Sequence, residues 1–199
     1  MSTNGGPETI YIIRHGEKLG DPTSDTDDGP DLSIQGSARA AALPELFVPP
    51  TPEWSCALAV SHEGFTASYK AYTLKEKSPR FQTPDFIFAT KASTASNRPV
   101  ETITPLSATL NLTYSATCGD SDYAALATKI TSDPTYTGKI VLICWHHGTI
   151  PDLAAEFGVA NPPSWKGTVF DRVWEIKYNP GPATLKNHAQ RLLYGDSAS

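Results

Sequence analysis

Three β-branched runs in this chain lead directly into basic residues, and that recurrence constrains the fold more than any other feature. "TIYIIR" (Thr9–Arg14) continues into His15-Gly16, "DFIFAT" (Asp85–Thr90) into "KASTASNR", and "GKIVLICW" (Gly138–Trp145) into His146-His147-Gly148-Thr149. Short apolar runs of this kind are what strands buried on both faces look like. The intervening segments read as helices. "LSIQGSARAAALPELF" (Leu32–Phe47) has Ser33 as its N-cap and Pro44 late in it. Pro99 suits the first turn of a second helix, and "DSDYAALATKITS" (Asp120–Ser132) is amphipathic. "PDLAAEFG" closes on Gly158, and "TVFDRVWEIKY" (Thr168–Tyr178) alternates as a last strand. Strands alternating with helices predict an α/β fold, a three-layer α/β/α sandwich with a largely parallel central sheet. Ligands of such sheets bind outside the carboxyl ends of the strands. The basic residues are therefore expected to converge there.

At 199 residues the chain is expected to form a single domain over 1–199, with a sizeable core. Proline-rich "VPPTPEW" (Val48–Trp54) reads as a linker. The segment at about 51–80, rich in aromatics and lysines, reads as an insertion, either a lid or specificity loop or surface padding. A net charge of -5 supplies no basic footprint, so neither nucleic acid nor a membrane is an expected partner. Cys56, Cys118 and Cys144 are unclustered, which argues against a disulfide framework and a zinc site. The start, MSTNGGPET, lacks a signal-peptide pattern, and no apolar run reaches membrane-spanning length. The expectation is a cytoplasmic protein. The acidic stretch Leu19–Asp31 lacks a full calcium-ligand spacing and reads as a solvated, turn-rich loop. Oligomeric state is not readable.

Two arginines and two histidines at one sheet edge suit phosphate chemistry. Arginine stays charged, and its planar fork matches phosphate oxygens bidentately. A neutral imidazole nitrogen is a nucleophile near neutral pH and carries a phosphoryl group as a covalent intermediate. A second histidine meets the charge on the transferring oxygens. Gly16 allows close backbone approach to the His15 ring, so that its carbonyl holds one ring nitrogen and leaves the other free to attack. No metal or other cofactor is required by this chemistry.

Four ordered blocks carry a resemblance. Arg14-His15-Gly16-Glu17, Leu32-Ser33-Ile34-Gln35-Gly36, "FATKASTASNRPVETITPL" and "VLICWHHGTI" span Ile10 to Gly158. In this the chain resembles the histidine phosphatase superfamily, in its phosphoglycerate-mutase-like branch. The resemblance implies His15 as the nucleophile, with Arg14 and Arg98 clamping the phosphate. Both His146 and His147 fit the second histidine, and the "HHGTI" alignment to a His-Gly pair favours His147. For the proton donor Asp122 is preferred over Asp120 and Glu101. Gly16, Glu17 and His146 are expected to line the substrate site. Arg39 reads as a structural residue on a helix face, and Asp171 with Arg172 as an internal ion pair. His62, in "VSHEG", imitates the late histidine block but precedes Arg98, the wrong order.

The expected activity is metal-independent hydrolysis of a phosphorylated small molecule through phosphohistidine. The alternatives are a protein phosphohistidine phosphatase, a phosphomutase, and a binding module that has kept the fold without the chemistry. "RHGEKLGD" departs from the mutase pattern after its glutamate, which favours the phosphatase.

Overall fold

The computed structural model describes residues 5–20, 27–49, 79–178 and 182–197. The expected insertion at about 51–80, with His62, lies outside the described residues except for Pro79 and Arg80. In chain order the elements are β1 (Thr9–Arg14), α1 (Ile34–Ala42), α2 (Pro44–Phe47), β2 (Phe86–Ala89), α3 (Arg98–Leu110) and β3 (Tyr114–Ser115). Then follow α4 (Tyr123–Ser132), β4 (Ile140–Trp145), α5 (Ile150–Glu156), β5 (Arg172–Lys177) and β6 (Thr184–Ala189). The fold is mixed α/β around a six-stranded sheet of order β3-β2-β4-β1-β5-β6. The first four strands of that order run parallel, whereas β5 and β6 join antiparallel.

Alternate side chains of the same strands feed two separate cores, as the two-residue period of a pleated strand requires. Ile10 and Ile12 of β1, with Val141, Ile143 and Trp145 of β4, pack against Leu126 and Ile130 of α4 and Leu153 of α5. Tyr11 and Ile13, with Leu142 and Cys144, pack against Leu43, Leu46 and Phe47 and against Ile103 and Leu106 of α3. Both central strands are buried along their whole length, which is why they read as continuous apolar runs.

The segment Leu32–Phe47, expected as one helix, is two. Pro44 has no N–H to give back to the preceding turn, so α1 closes at Leu43 and α2 restarts with the proline in its first turn. At the other end of the chain, β6 extends the sheet beyond the strand expected to be last. No helix among the described residues is long and apolar enough to cross a membrane.

Candidate active site

The register of the two central strands decides what meets at the sheet edge. Arg14 pairs with Trp145 across β1 and β4, so the next residues, His15 and His146, leave the sheet side by side. The His15 backbone N–H continues the ladder to the Trp145 carbonyl at 3.2 Å. The two imidazole rings meet edge to face with centroids 5.2 Å apart. His146, rather than the preferred His147, thus faces His15. Consecutive residues leaving a strand diverge, and the first of the pair inherits the register.

His15 is buried, and its Nδ1 lies 2.7 Å from the Gly16 carbonyl oxygen. A carbonyl only accepts, so Nδ1 carries the hydrogen and Nε2 keeps its lone pair. Burial holds the His15 pKa well below 6.5, and the Arg14 charge pushes the same way, against the pull of the Gly16 carbonyl. The neutral ring is therefore the resting form at neutral pH. The His146 pKa is lowered too: burial dominates, Asp120 pulls upward, and Arg98 and Arg14 push down.

Gly16 is a fixed point of the backbone. Its N–H donates to Thr102 Oγ1 at 2.8 Å, and that hydroxyl donates to the Arg98 carbonyl at 2.7 Å. One threonine on α3 thereby links the His15-Gly16 loop to the first turn of the helix that carries Arg98. A Cβ on Gly16 would sit 2.8 Å from the Gly36 carbonyl, and one on Gly36 would collide with the Glu17 carbonyl. The glycines of the "RHG" and "LSIQG" blocks thus press backbone against backbone. Ser33 completes the junction, its N–H donating to the Glu17 carbonyl at 2.9 Å and its Oγ accepting from the Gly36 N–H at 3.1 Å. The spacing of the second block has a mechanical reason: a side chain at Gly36 would displace the Gly16-Glu17 backbone.

Of the two arginines, Arg14 is fully buried. Its Nη1 donates to the Gly167 and Val169 carbonyls at 2.5 and 3.1 Å, and its guanidinium carbon stands 3.7 Å above the Phe170 ring. The same phenyl ring lies 6.0 Å from the His15 ring, centroid to centroid. Arg98, at the start of α3, is 4% exposed. Its Nη1 and Nη2 each donate to one oxygen of Asp27 at 2.9 Å, and Nη1 also donates to the Gly29 carbonyl at 2.5 Å.

Several expected site residues lie elsewhere. Asp122 is exposed, and its Oδ2 accepts the Gly119 N–H at 2.8 Å, closing the short 3₁₀ turn before α4. Two acids act on His146: Asp120, whose Oδ1 accepts from Thr149 Oγ1 at 2.5 Å, and, more weakly, Asp27. Glu101 accepts the Leu32 N–H at 2.8 Å and ties α3 to the loop before α1. Glu17 was expected to line the substrate site but is buried, with both carboxylate oxygens on Arg39 at 2.7–3.1 Å. Gly16 has both backbone groups engaged within the protein, its carbonyl with His15 Nδ1 and its N–H with Thr102 Oγ1. Arg39 is structural as expected, though buried. Asp171 and Arg172 stand 3.9 Å apart. Thr102, Phe170, Thr149 and Asp27 were not singled out from the sequence. Thr102, four residues after Arg98 on the same helix, had a periodicity signal; Phe170 and Asp27 reach the site from distant segments and had none.

The assembly can deliver an imidazole nitrogen to an electrophile beside a second imidazole, with guanidinium charge buried on two sides. No family model matches the chain, and no curated protein matches it. Solved structures do. A protein named as a candidate phosphohistidine phosphatase, SixA of Agrobacterium tumefaciens, is 13% identical over 92% of this chain and 99% of its own, with a TM-score of 0.45. A phosphoglycerate mutase of Bacillus anthracis is 16% identical over 94% of each chain, with a TM-score of 0.49. A protein named mycobacterial hydrolase 2 is 12% identical over 96% of this chain and 93% of its own, also at 0.49. Each is a protein that this chain is similar to, and at 12–16% identity and TM-scores below 0.5 the likeness carries nothing to the chemistry of this chain.

Proposed function

We propose that this chain is a phosphatase that transfers the phosphoryl group of a small-molecule monoester to His15 and then to water. One observation supports this above the others: a buried, neutral His15 has Nδ1 committed to the Gly16 carbonyl and sits between Arg14, Arg98 and His146. His15 Nε2 attacks phosphorus, the P–N bond forms, and the bond to the leaving oxygen breaks. Arg14 and Arg98 meet the charge spread over the equatorial oxygens, and His146 supplies a further donor. The leaving oxygen takes a proton from the Asp120 carboxyl, a role supported by the action of Asp120 on His146 and by the exposure of Asp122. Water then attacks the phosphorus of phosphohistidine and gives a proton to the Asp120 carboxylate left by the first step; the P–N bond breaks, and orthophosphate leaves with His15 neutral and Asp120 protonated again.

The experiment is a trap. Wild-type protein given a labelled reactive phosphate donor is expected to form an acid-labile phosphoenzyme, to turn over in EDTA, and to be inhibited by vanadate. His15→Ala is expected to lose both labelling and turnover. EDTA-sensitive turnover that survives in the His15 variant would sink the proposal, and phosphoryl transfer to a second substrate hydroxyl in place of water would move it to a mutase.

A further inference from the structure

Arg98 is already occupied by an anion of the protein's own. Asp27 reaches it from the acidic loop and forms a two-oxygen, two-nitrogen fork with both bonds at 2.9 Å, the geometry in which arginine also holds phosphate. The partners differ in freedom. The Arg98 side chain is 5% exposed and starts a helix, whereas the Asp27 side chain is 44% exposed on a loop. Asp27 can be drawn off into water; Arg98 cannot follow it. The fork is also incomplete. Arg98 Nε is buried with no hydrogen-bond partner among the described residues, and a carboxylate has only two oxygens to offer five N–H donors. A terminal phosphate brings three oxygens and up to two negative charges, so it satisfies this guanidinium better than Asp27 does.

We propose that Asp27 is an intramolecular competitor for the phosphate site: substrate phosphate displaces it from Arg98, and its return helps expel orthophosphate after hydrolysis. This inference rests on the phosphatase reading above. A tethered anion acts at an effective concentration in the millimolar range. It therefore weakens every anion that needs Arg98 by one common factor, and this common factor is its signature.

The test compares wild type with Asp27→Asn, using inhibition of turnover by orthophosphate and by vanadate. Asp28→Asn is the control. It removes the same charge from the adjacent, exposed position, and Asp28 takes no part in the Arg98 fork. Asp27→Asn is expected to tighten both inhibition constants by the same factor, about two- to fivefold, while Asp28→Asn leaves them unchanged. Equal or weaker inhibition in Asp27→Asn would overturn the inference and make Asp27 a brace that orients Arg98. Collapse of kcat with unchanged inhibition constants would overturn it in favour of Asp27 as the acid. In both cases phosphoenzyme formation by wild type leaves the phosphatase reading standing. Absence of phosphoenzyme and of any inhibition by either anion overturns both.

Discussion

Two buried arginine forks lie close to the His15 loop in sequence or in space, and they are built to opposite ends. Arg39 is 2% exposed and holds two carboxylates, Glu17 and Asp196, with a further bond from Nη1 to Gln190 at 3.0 Å. Both of its acids are as buried as the guanidinium, with side chains 5% exposed. Arg98 holds one acid, half in water. The Arg39 cluster is closed: no anion from solution can improve on partners already desolvated around it. The Arg98 fork is open on one side. A buried arginine is thus a rivet when its acids are buried with it and a receptor when its acid is not. The rivet serves the receptor's neighbour, because Glu17 directly follows Gly16, whose carbonyl holds His15.

Separating the two forks by mutation gives the sharpest tests. Arg98→Ala is expected to lower kcat/KM by about a thousandfold, the scale on which arginines contribute to phosphoryl transfer. Its unfolding free energy, read from urea denaturation, is expected to fall by about 1–2 kcal/mol, because half-exposed Asp27 is re-solvated when the arginine is lost. Arg39→Met is expected to show the reverse pattern. Glu17 and Asp196 then face each other without a counter-charge, which costs about 3–5 kcal/mol of stability. Activity per folded molecule falls less than for Arg98→Ala. Urea denaturation with steady-state kinetics on the folded fraction reads both. A stable Arg39→Met, or an Arg98→Ala that unfolds while keeping its turnover, breaks the comparison.

What was legible in the sequence divides along the same physical line. β1 and β4 sit in the middle of the sheet and are buried end to end, so continuous apolar runs announced them. β6 lies at the edge, with exposed Thr184, Lys186 and Asn187, and an edge strand carries no such pattern. His15, Arg14, Arg98 and the two glycines stand in ordered blocks, and in the fold the charges of Arg14 and Arg98 both act on the His15 ring. The one-residue choices between His146 and His147, and between Asp120 and Asp122, depended on register and on a 3₁₀ turn, neither of which periodicity reports. The Arg39 cluster was unreadable for another reason. Its three charged members, Glu17, Arg39 and Asp196, are scattered along nearly the whole chain, and spacing cannot predict a contact made only by folding.

The smallest effect isolates the far end of the rivet. Asp196 accepts from Arg39 Nη1 and Nη2 at 2.9 and 2.7 Å, and from the Leu192 and Leu193 N–H groups at 2.8 and 3.1 Å. Burial pushes its pKa up, but the bonds from Arg39 and from those backbone N–H groups outweigh burial and bring it below the ordinary 3.8. An acid with a depressed folded pKa stabilises the fold above its unfolded value, and that stabilisation is lost as pH falls through the folded one. Asp196→Asn keeps one oxygen and loses the charge, so at pH 6 it is expected to cost about 1–3 kcal/mol. The gap between wild type and variant should hold down to about pH 4 and then narrow below 3.8, as wild-type Asp196 itself becomes neutral. Urea unfolding of the pair from pH 6 to pH 3 measures it. A gap that stays constant through pH 3 would mean that Asp196 acts through its backbone N–H contacts, with its charge on Arg39 contributing nothing, and the Arg39 cluster would then be closed by Glu17 alone.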